Sequence, residues 1–140
     1  MAFGTDERTA LTDDVVAAVA DAGHEVVLRL EGAPWPDVGR RIGEAVANGQ
    51  ADRGVVCCWT GTGVSIAANK VPGVRAALCT DAETARGARR WNDANVLALG
   101  LRLSSATVAQ EMLVAFLGTE AEPDESATIA RLAFGDDRDG

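Results

Sequence analysis

The stretch Arg53-Gly-Val-Val-Cys-Cys-Trp-Thr-Gly-Thr-Gly-Val-Ser-Ile-Ala-Ala-Asn-Lys70 restricts the fold of this chain more than any other segment. Val55, Val56 and Cys57 form a short β-favouring apolar run without alternation, as in a strand buried on both faces of a parallel sheet. Gly61 and Gly63 then permit a sharp turn, and a helix is predicted over about 64–70. Strand, glycine turn and helix in that order form half of a β–α–β unit, so the rest of the chain should supply more of the same.

It does. A first strand at Phe3-Gly4 precedes a helix over Thr9 to Ala22, where Leu11, Val15, Ala18, Val19 and Ala22 recur at helical spacing before Gly23. Glu25 to Leu30 reads as the second strand and Pro36 to Asn48 as a helix with Val38, Ile42, Ala45 and Val46 on one face. Beyond Pro72-Gly73, a fourth strand is predicted over Val74 to Cys79, then a helix capped by Asp81 and running to about Trp91. Asn95 to Leu99 is the fifth strand, Ser104 to Leu117 a long helix, and Glu125 to Phe134 a last one. The alternation predicts a three-layer α/β/α sandwich around a five-stranded parallel, Rossmann-like sheet with right-handed crossovers. We expect one domain over residues 1–135 and a flexible acidic tail over 136–140.

Composition narrows the setting. With 140 residues, 47% of them hydrophobic, the chain can bury a core without disulfides or metal. Its three cysteines show no metal-ligand spacing, and the adjacent pair Cys57 and Cys58 has poor geometry for a disulfide, which suits a reducing cytoplasm. No apolar stretch is long enough to span a membrane and no leader pattern opens the sequence. A net charge of −8 argues against a nucleic-acid partner.

Ligands of parallel sheets sit beyond the carboxyl ends of the strands, which is where Asp6, Cys58, Thr60, Thr80, Asp81 and Arg102 fall. Backbone N–H groups at the start of the helix after Gly61 can hold a phosphate or an oxyanion, with hydroxyls from Thr60, Thr62 and Ser65 beside them. Cys58, the last strand residue, would share that environment, which favours a thiolate able to take a proton from carbon. The other reading of all three cysteines is as small buried hydrophobes, and it suits Cys57 and Cys79, which lie inside apolar runs. Thr80 and Asp81 read first as a helix cap. Asn92 and Asp93 precede a strand and so belong to the opposite end, where only a partner chain or a long loop could bring them to Cys58.

The segment from Thr60 to Gly100, with Gly-Val-Ser-Ile-Ala-Ala-Asn-Lys-Val-Pro-Gly-Val-Arg and Asn92-Asp-Ala-Asn-Val-Leu-Ala-Leu-Gly100, resembles the type B ribose-5-phosphate isomerases and the related galactose-6-phosphate isomerases. The resemblance extends upstream through Trp35-Pro-Asp37, similar to the family's Tyr-Pro-Asp, and covers roughly Gly23 to Gly118. It implies a dimer with sites between subunits, leaving dimer against tetramer open, that interconverts aldose and ketose phosphates through an enediolate without metal or organic cofactor. It implies that Cys58 moves the proton, assisted by Thr60. It further implies that Asp6, Gly61, Thr62, Gly63, Ser65, Asn92, Arg102 and Arg131 meet the substrate and its phosphate. Trp59 and Trp91 read from their own positions either as lining the pocket beside Cys58 or as buried in a dimer contact. The chain departs from the family's pattern at Glu7 and Trp91, each in place of a histidine, and at Trp59, in place of a glycine. Near the carboxyl end, Pro123-Asp-Glu-Ser-Ala-Thr-Ile-Ala-Arg131 replaces an arginine-rich segment. These departures point to a substrate that is smaller, already open-chain or differently charged. The alternatives are a non-catalytic metabolite-binding homologue and an isomerase or epimerase of an unphosphorylated compound.

Overall fold

Five short strands make one sheet: β1 (Ala2–Thr5), β2 (Leu28–Glu31), β3 (Gly54–Cys58), β4 (Ala76–Leu78) and β5 (Val96–Gly100), all parallel and in the order β2-β1-β3-β5-β4. The computed structural model describes residues 1–135, so the acidic tail expected at 136–140 lies outside the described residues. Side chains alternate across each strand, and two apolar layers result. Phe3, Val55, Cys57, Leu97 and Leu99 pack under helices α1 (Ala10–Asp21), α4 (Ala82–Asn92) and α5 (Ala106–Gly118). On the other face, Ala2, Val56, Cys58, Val96 and Ala98 pack under α2 (Trp35–Ala47) and α3 (Thr62–Asn69).

Helix starts follow the local chemistry of the sequence. Thr9 and Thr12 exchange side-chain and backbone bonds in a capping box at the start of α1. Asp81 accepts from the Thr84 amide at 2.7 Å, which holds its carboxyl below the usual carboxylate range, and Ser105 accepts from Val108 N at 3.1 Å.

Three elements differ from expectation. β2 pairs only from Leu28 to Glu31, although the predicted strand runs from Glu25 to Leu30. β4 is limited to three residues because Asn69 takes both the N–H and the C=O of Ala76 (2.8 and 3.0 Å), while Val74 turns back to Val71. The last helix is not continuous: a 3₁₀ turn (Pro123–Glu125), a short α6 (Ser126–Ala130) and a second 3₁₀ stretch (Arg131–Gly135) replace it. Among its described residues none is buried, and an isolated helix of this length has little to hold it in water.

The amino end of the sheet is closed by Arg89, only 2% exposed. Its guanidinium donates to the carbonyls of Thr119 (3.0 Å) and Ala94 (2.6 Å), pairs with Asp93 (2.8 Å) and lies over the Phe116 ring. A buried charge is tolerable here because these partners occupy its N–H groups.

Candidate active site

Strand order creates the crevice. The chain leaves β1 through α1 on one face toward β2, and leaves β3 through α3 on the other face toward β4, so connections diverge between β1 and β3. Ligands of open parallel sheets bind at that switch point.

Register then sets the pair of groups facing it. Thr5 lies opposite Cys57, so one step further Asp6 follows β1 beside Cys58, the last residue of β3. One Asp6 oxygen, Oδ1, is buried without a hydrogen-bond partner. A buried carboxylate oxygen left unpaired is costly, and a hydroxyl donor from a ligand would relieve it. Cys58 lies on the α2/α3 side of the sheet and keeps 6% exposure, while Cys57 points the other way and is fully enclosed. Burial drives the Cys57 thiol far above its usual range, and pushes Cys79 up to about 11. These two are the inert hydrophobes expected of them.

The turn after Cys58 is fixed from several sides. Gly61 caps α3 in the left-handed region at φ 78°, and no side chain caps the amides that follow. A Cβ on Gly61 would lie 2.6 Å from Leu78 Cδ1 and 2.8 Å from the Gly100 nitrogen, so only glycine fits. Leu101 N donates to Cys58 O and Arg102 N to Trp59 O, both at 2.9 Å, which ties the turn after β5 to the turn after β3. Through that tie the Arg102 backbone lies alongside Trp59, and the exposed guanidinium makes no ion pair or side-chain hydrogen bond among the described residues. Thr60 and Thr62 hydroxyls bond each other at 2.8 Å. Helix α3 therefore offers its positive end, with unoccupied amides at Thr62, Gly63 and Val64, on the side where Cys58 and Asp6 stand.

Trp35 joins this group although residue spacing alone gave it no role. Its indole covers Gly63 so closely that a Cβ there would sit 2.8 Å from Cε3. The available signal was its place in Trp35-Pro-Asp37, at the start of α2, which packs beside α3.

Other expected site residues stand apart. Trp91 and Asn92 end α4 and precede β5 at the amino end, where Asp93 adopts the left-handed conformation at φ 47°. They line a groove of about 580 Å³ between α4 and edge strand β4, together with Leu78, Cys79, Thr84 and Gly87. Arg131 is exposed, in a segment held to α4 by the Arg90–Glu122 ion pair. Within one chain, then, Asp6, Cys58, Thr60, Gly61, Thr62, Gly63, Ser65 and Arg102 gather at one end of the sheet, while Trp91 and Asn92 do not join them.

Residues 1–132 match the family model described as Ribose/Galactose Isomerase. The chain belongs to that family. An aldose–ketose isomerase of this kind is 37% identical over 127 residues to the ribose-5-phosphate isomerase B of Escherichia coli, covering 87% of this chain and 85% of that protein. It is 38% identical over 120 residues to D-erythrulose-4-phosphate isomerase 2 of Mycolicibacterium smegmatis, covering 86% and 77%. The solved type B ribose 5-phosphate isomerase of Leishmania infantum superposes with a TM-score of 0.90 at 30% identity, over 99% of this isomerase and 97% of that chain. The fold of this isomerase is thus the family's parallel α/β sandwich.

Proposed function

We propose that the isomerase interconverts a small aldose phosphate and the matching ketose phosphate through an enediolate, with Cys58 as the base. The Cys58 thiolate takes the proton from the carbon next to the carbonyl. The C–H electron pair becomes the new C=C bond, and the carbonyl oxygen becomes the enediolate oxygen. That oxygen is held by the free amides at the start of α3, which are strongest for charge that appears only in the transition state. A proton then passes between the two substrate oxygens beside the Thr60 hydroxyl, and the thiol returns its hydrogen to the neighbouring carbon. Asp6 Oδ1 accepts from a substrate hydroxyl, and Arg102 meets the phosphate.

The observation that carries this reading is the adjacency of the unpaired Asp6 oxygen and Cys58 at the switch point below an uncapped helix start. The relatives' names add the substrate class, a tetrose or pentose phosphate. We further read the protein as a homodimer with shared sites. The three-residue edge strand β4, the groove at Trp91 and Asn92, and the exposed Trp59, Leu78 and Leu103 favour a second copy across that edge. A partner would bring its Trp91 and Asn92, and on the same logic Arg131, toward Cys58.

Incubation in heavy water with D-erythrose 4-phosphate, D-ribulose 5-phosphate and D-ribose 5-phosphate tests the chemistry. Deuterium should enter at the carbon beside the carbonyl of at least one of them. Cys58→Ala should abolish the exchange and Cys57→Ala should retain it; exchange that survives Cys58→Ala removes Cys58 as the base.

A further inference from the structure

We infer that this active site works only on the open-chain form of a sugar phosphate, so that its substrates are those that cannot close a ring. The inference rests on the isomerase reading above and specifies its substrate class. Opening a furanose requires a proton to leave the anomeric hydroxyl and another to reach the ring oxygen. A group that both gives and takes protons near neutral pH does this best, and its contribution is typically ~10²–10⁴ in rate.

The groups at the carboxyl end of the sheet are poorly suited to that task. Thr60 and Thr62 hydroxyls do not ionise near neutrality, and they already bond each other at 2.8 Å. Arg102 keeps its protons at any working pH. Asp6 offers one carboxylate, whose free oxygen is the acceptor for a substrate hydroxyl, and the exposed Glu7 beside it offers another, which when ionised is an acceptor only and has no proton to give the ring oxygen. The large exposed side chains nearest the site and on the groove at α4 are apolar, Leu78 and Leu103, or indoles, Trp59 at 60% and Trp91 at 51% exposure, and an indole N–H is a donor only.

The sequence contains a single histidine, His24. It follows α1, where its amide donates to Val19 O at 3.2 Å, on the approach to β2. That location is at the amino end of the sheet and beside the edge strand opposite to β4. Neither its own chain nor a copy docked across β4 brings this imidazole to Cys58.

Chemistry then selects the substrate. A five-membered ring closes through the hydroxyl three carbons beyond the carbonyl. In a tetrose 4-phosphate that hydroxyl carries the phosphate; in its 2-keto isomer the carbon does not exist; in a 2-ketopentose 5-phosphate the hydroxyl is again esterified. All three are permanently open, whereas an aldopentose 5-phosphate is stored almost entirely as a ring.

The purified full-length protein decides the matter without mutation. Initial rates with D-erythrose 4-phosphate and with D-ribulose 5-phosphate should rise in proportion to enzyme concentration. With D-ribose 5-phosphate the rate should reach a plateau, independent of added enzyme, at the uncatalysed ring-opening rate measured by trapping the free aldehyde. Added imidazole buffer, which catalyses ring opening in solution, should raise that plateau in proportion to its concentration. Consumption of D-ribose 5-phosphate that stays proportional to enzyme above the uncatalysed rate, and is indifferent to imidazole, overturns the inference. Absence of turnover with all three compounds is a distinct outcome, in which the isomerase reading itself falls and this inference with it.

Discussion

Replacing Gly61 by alanine tests whether the anion turn is held by close packing as well as by its backbone angle. Gly61 and Gly49 have nearly the same conformation, φ 78° and 83°, but different surroundings. A Cβ on Gly49 meets nothing within 4 Å, whereas one on Gly61 meets Leu78 Cδ1 at 2.6 Å and the Gly100 nitrogen and Leu99 carbonyl carbon at 2.8 Å. Gly49→Ala should therefore cost only the left-handed penalty, about 1–2 kcal/mol. Gly61→Ala adds overpacking against backbone that cannot swing aside, about 1–3 kcal/mol more, for a total of about 2–5 kcal/mol. With a urea slope of about 2 kcal/mol per M, the control should lower the unfolding midpoint by roughly 0.5–1 M and Gly61→Ala by roughly 1–2.5 M, at one protein concentration. The second readout is isomerisation of D-erythrose 4-phosphate by the folded fraction. Displacing the turn re-aims the amides of Thr62 and Gly63, so kcat should fall by about 10²–10³-fold in Gly61→Ala and stay unchanged in Gly49→Ala. Equal midpoints for the two variants would refute the packing argument. A full loss of stability with kcat intact would refute the role of the turn in holding the enediolate.

Two further outcomes follow from buried groups. At pH 8 a thiol pushed to about 11, as Cys79 is, holds about one thiolate in a thousand, and Cys57 holds fewer. Iodoacetamide on the native protein should thus mark Cys58 first by peptide mapping, with Cys79 gaining as pH rises toward 11; early labelling of Cys57 or Cys79 at pH 8 would contradict the burial assigned to them. Arg89→Met removes the donor to the Thr119 and Ala94 carbonyls while keeping an apolar stem under α5. It should cost about 3–5 kcal/mol in denaturant unfolding, and a loss under 1 kcal/mol would show that the network contributes little.

The sheet, its flanking helices and most caps were legible because they rest on local rules. Val55 to Cys58 is apolar without alternation, Asp81 and Ser105 stand just before helical periodicity, and Gly61 stands where a left-handed residue is required. The structure departs from the pattern where a tertiary partner overrides it. β4 shortens because the Asn69 side chain takes the outer bonds of Ala76, a contact across seven residues that carries no periodic trace. The last helix breaks into short turns because its hydrophobic spacing has no surface to bury against among the described residues.

Half of the candidate site was legible for the same reason. Asp6, Cys58, Thr60 and Arg102 each follow a strand, and parallel topology sends every strand end to one side of the sheet. Trp35 does not follow a strand; it reaches Gly63 from the start of α2 because α2 and α3 pack beside each other on one face, and that is a fact of packing. Trp91 poses the converse problem. It precedes a strand, so the topology that gathers the other residues sends it to the far end of the sheet, and its role in the site rests wholly on the shared-site dimer proposed above. A heterodimer can separate the two cases. One protomer carries Cys58→Ala and the other carries a substitution in the groove at Trp91 and Asn92. If sites are shared, mixing should leave one of the two sites of a mixed dimer intact and restore up to half of the wild-type rate per such dimer. If each site is built within one chain, the groove variant, whose substitution then lies at the far end of the sheet from Cys58, keeps its activity on its own, and mixing gives only the average of the two proteins.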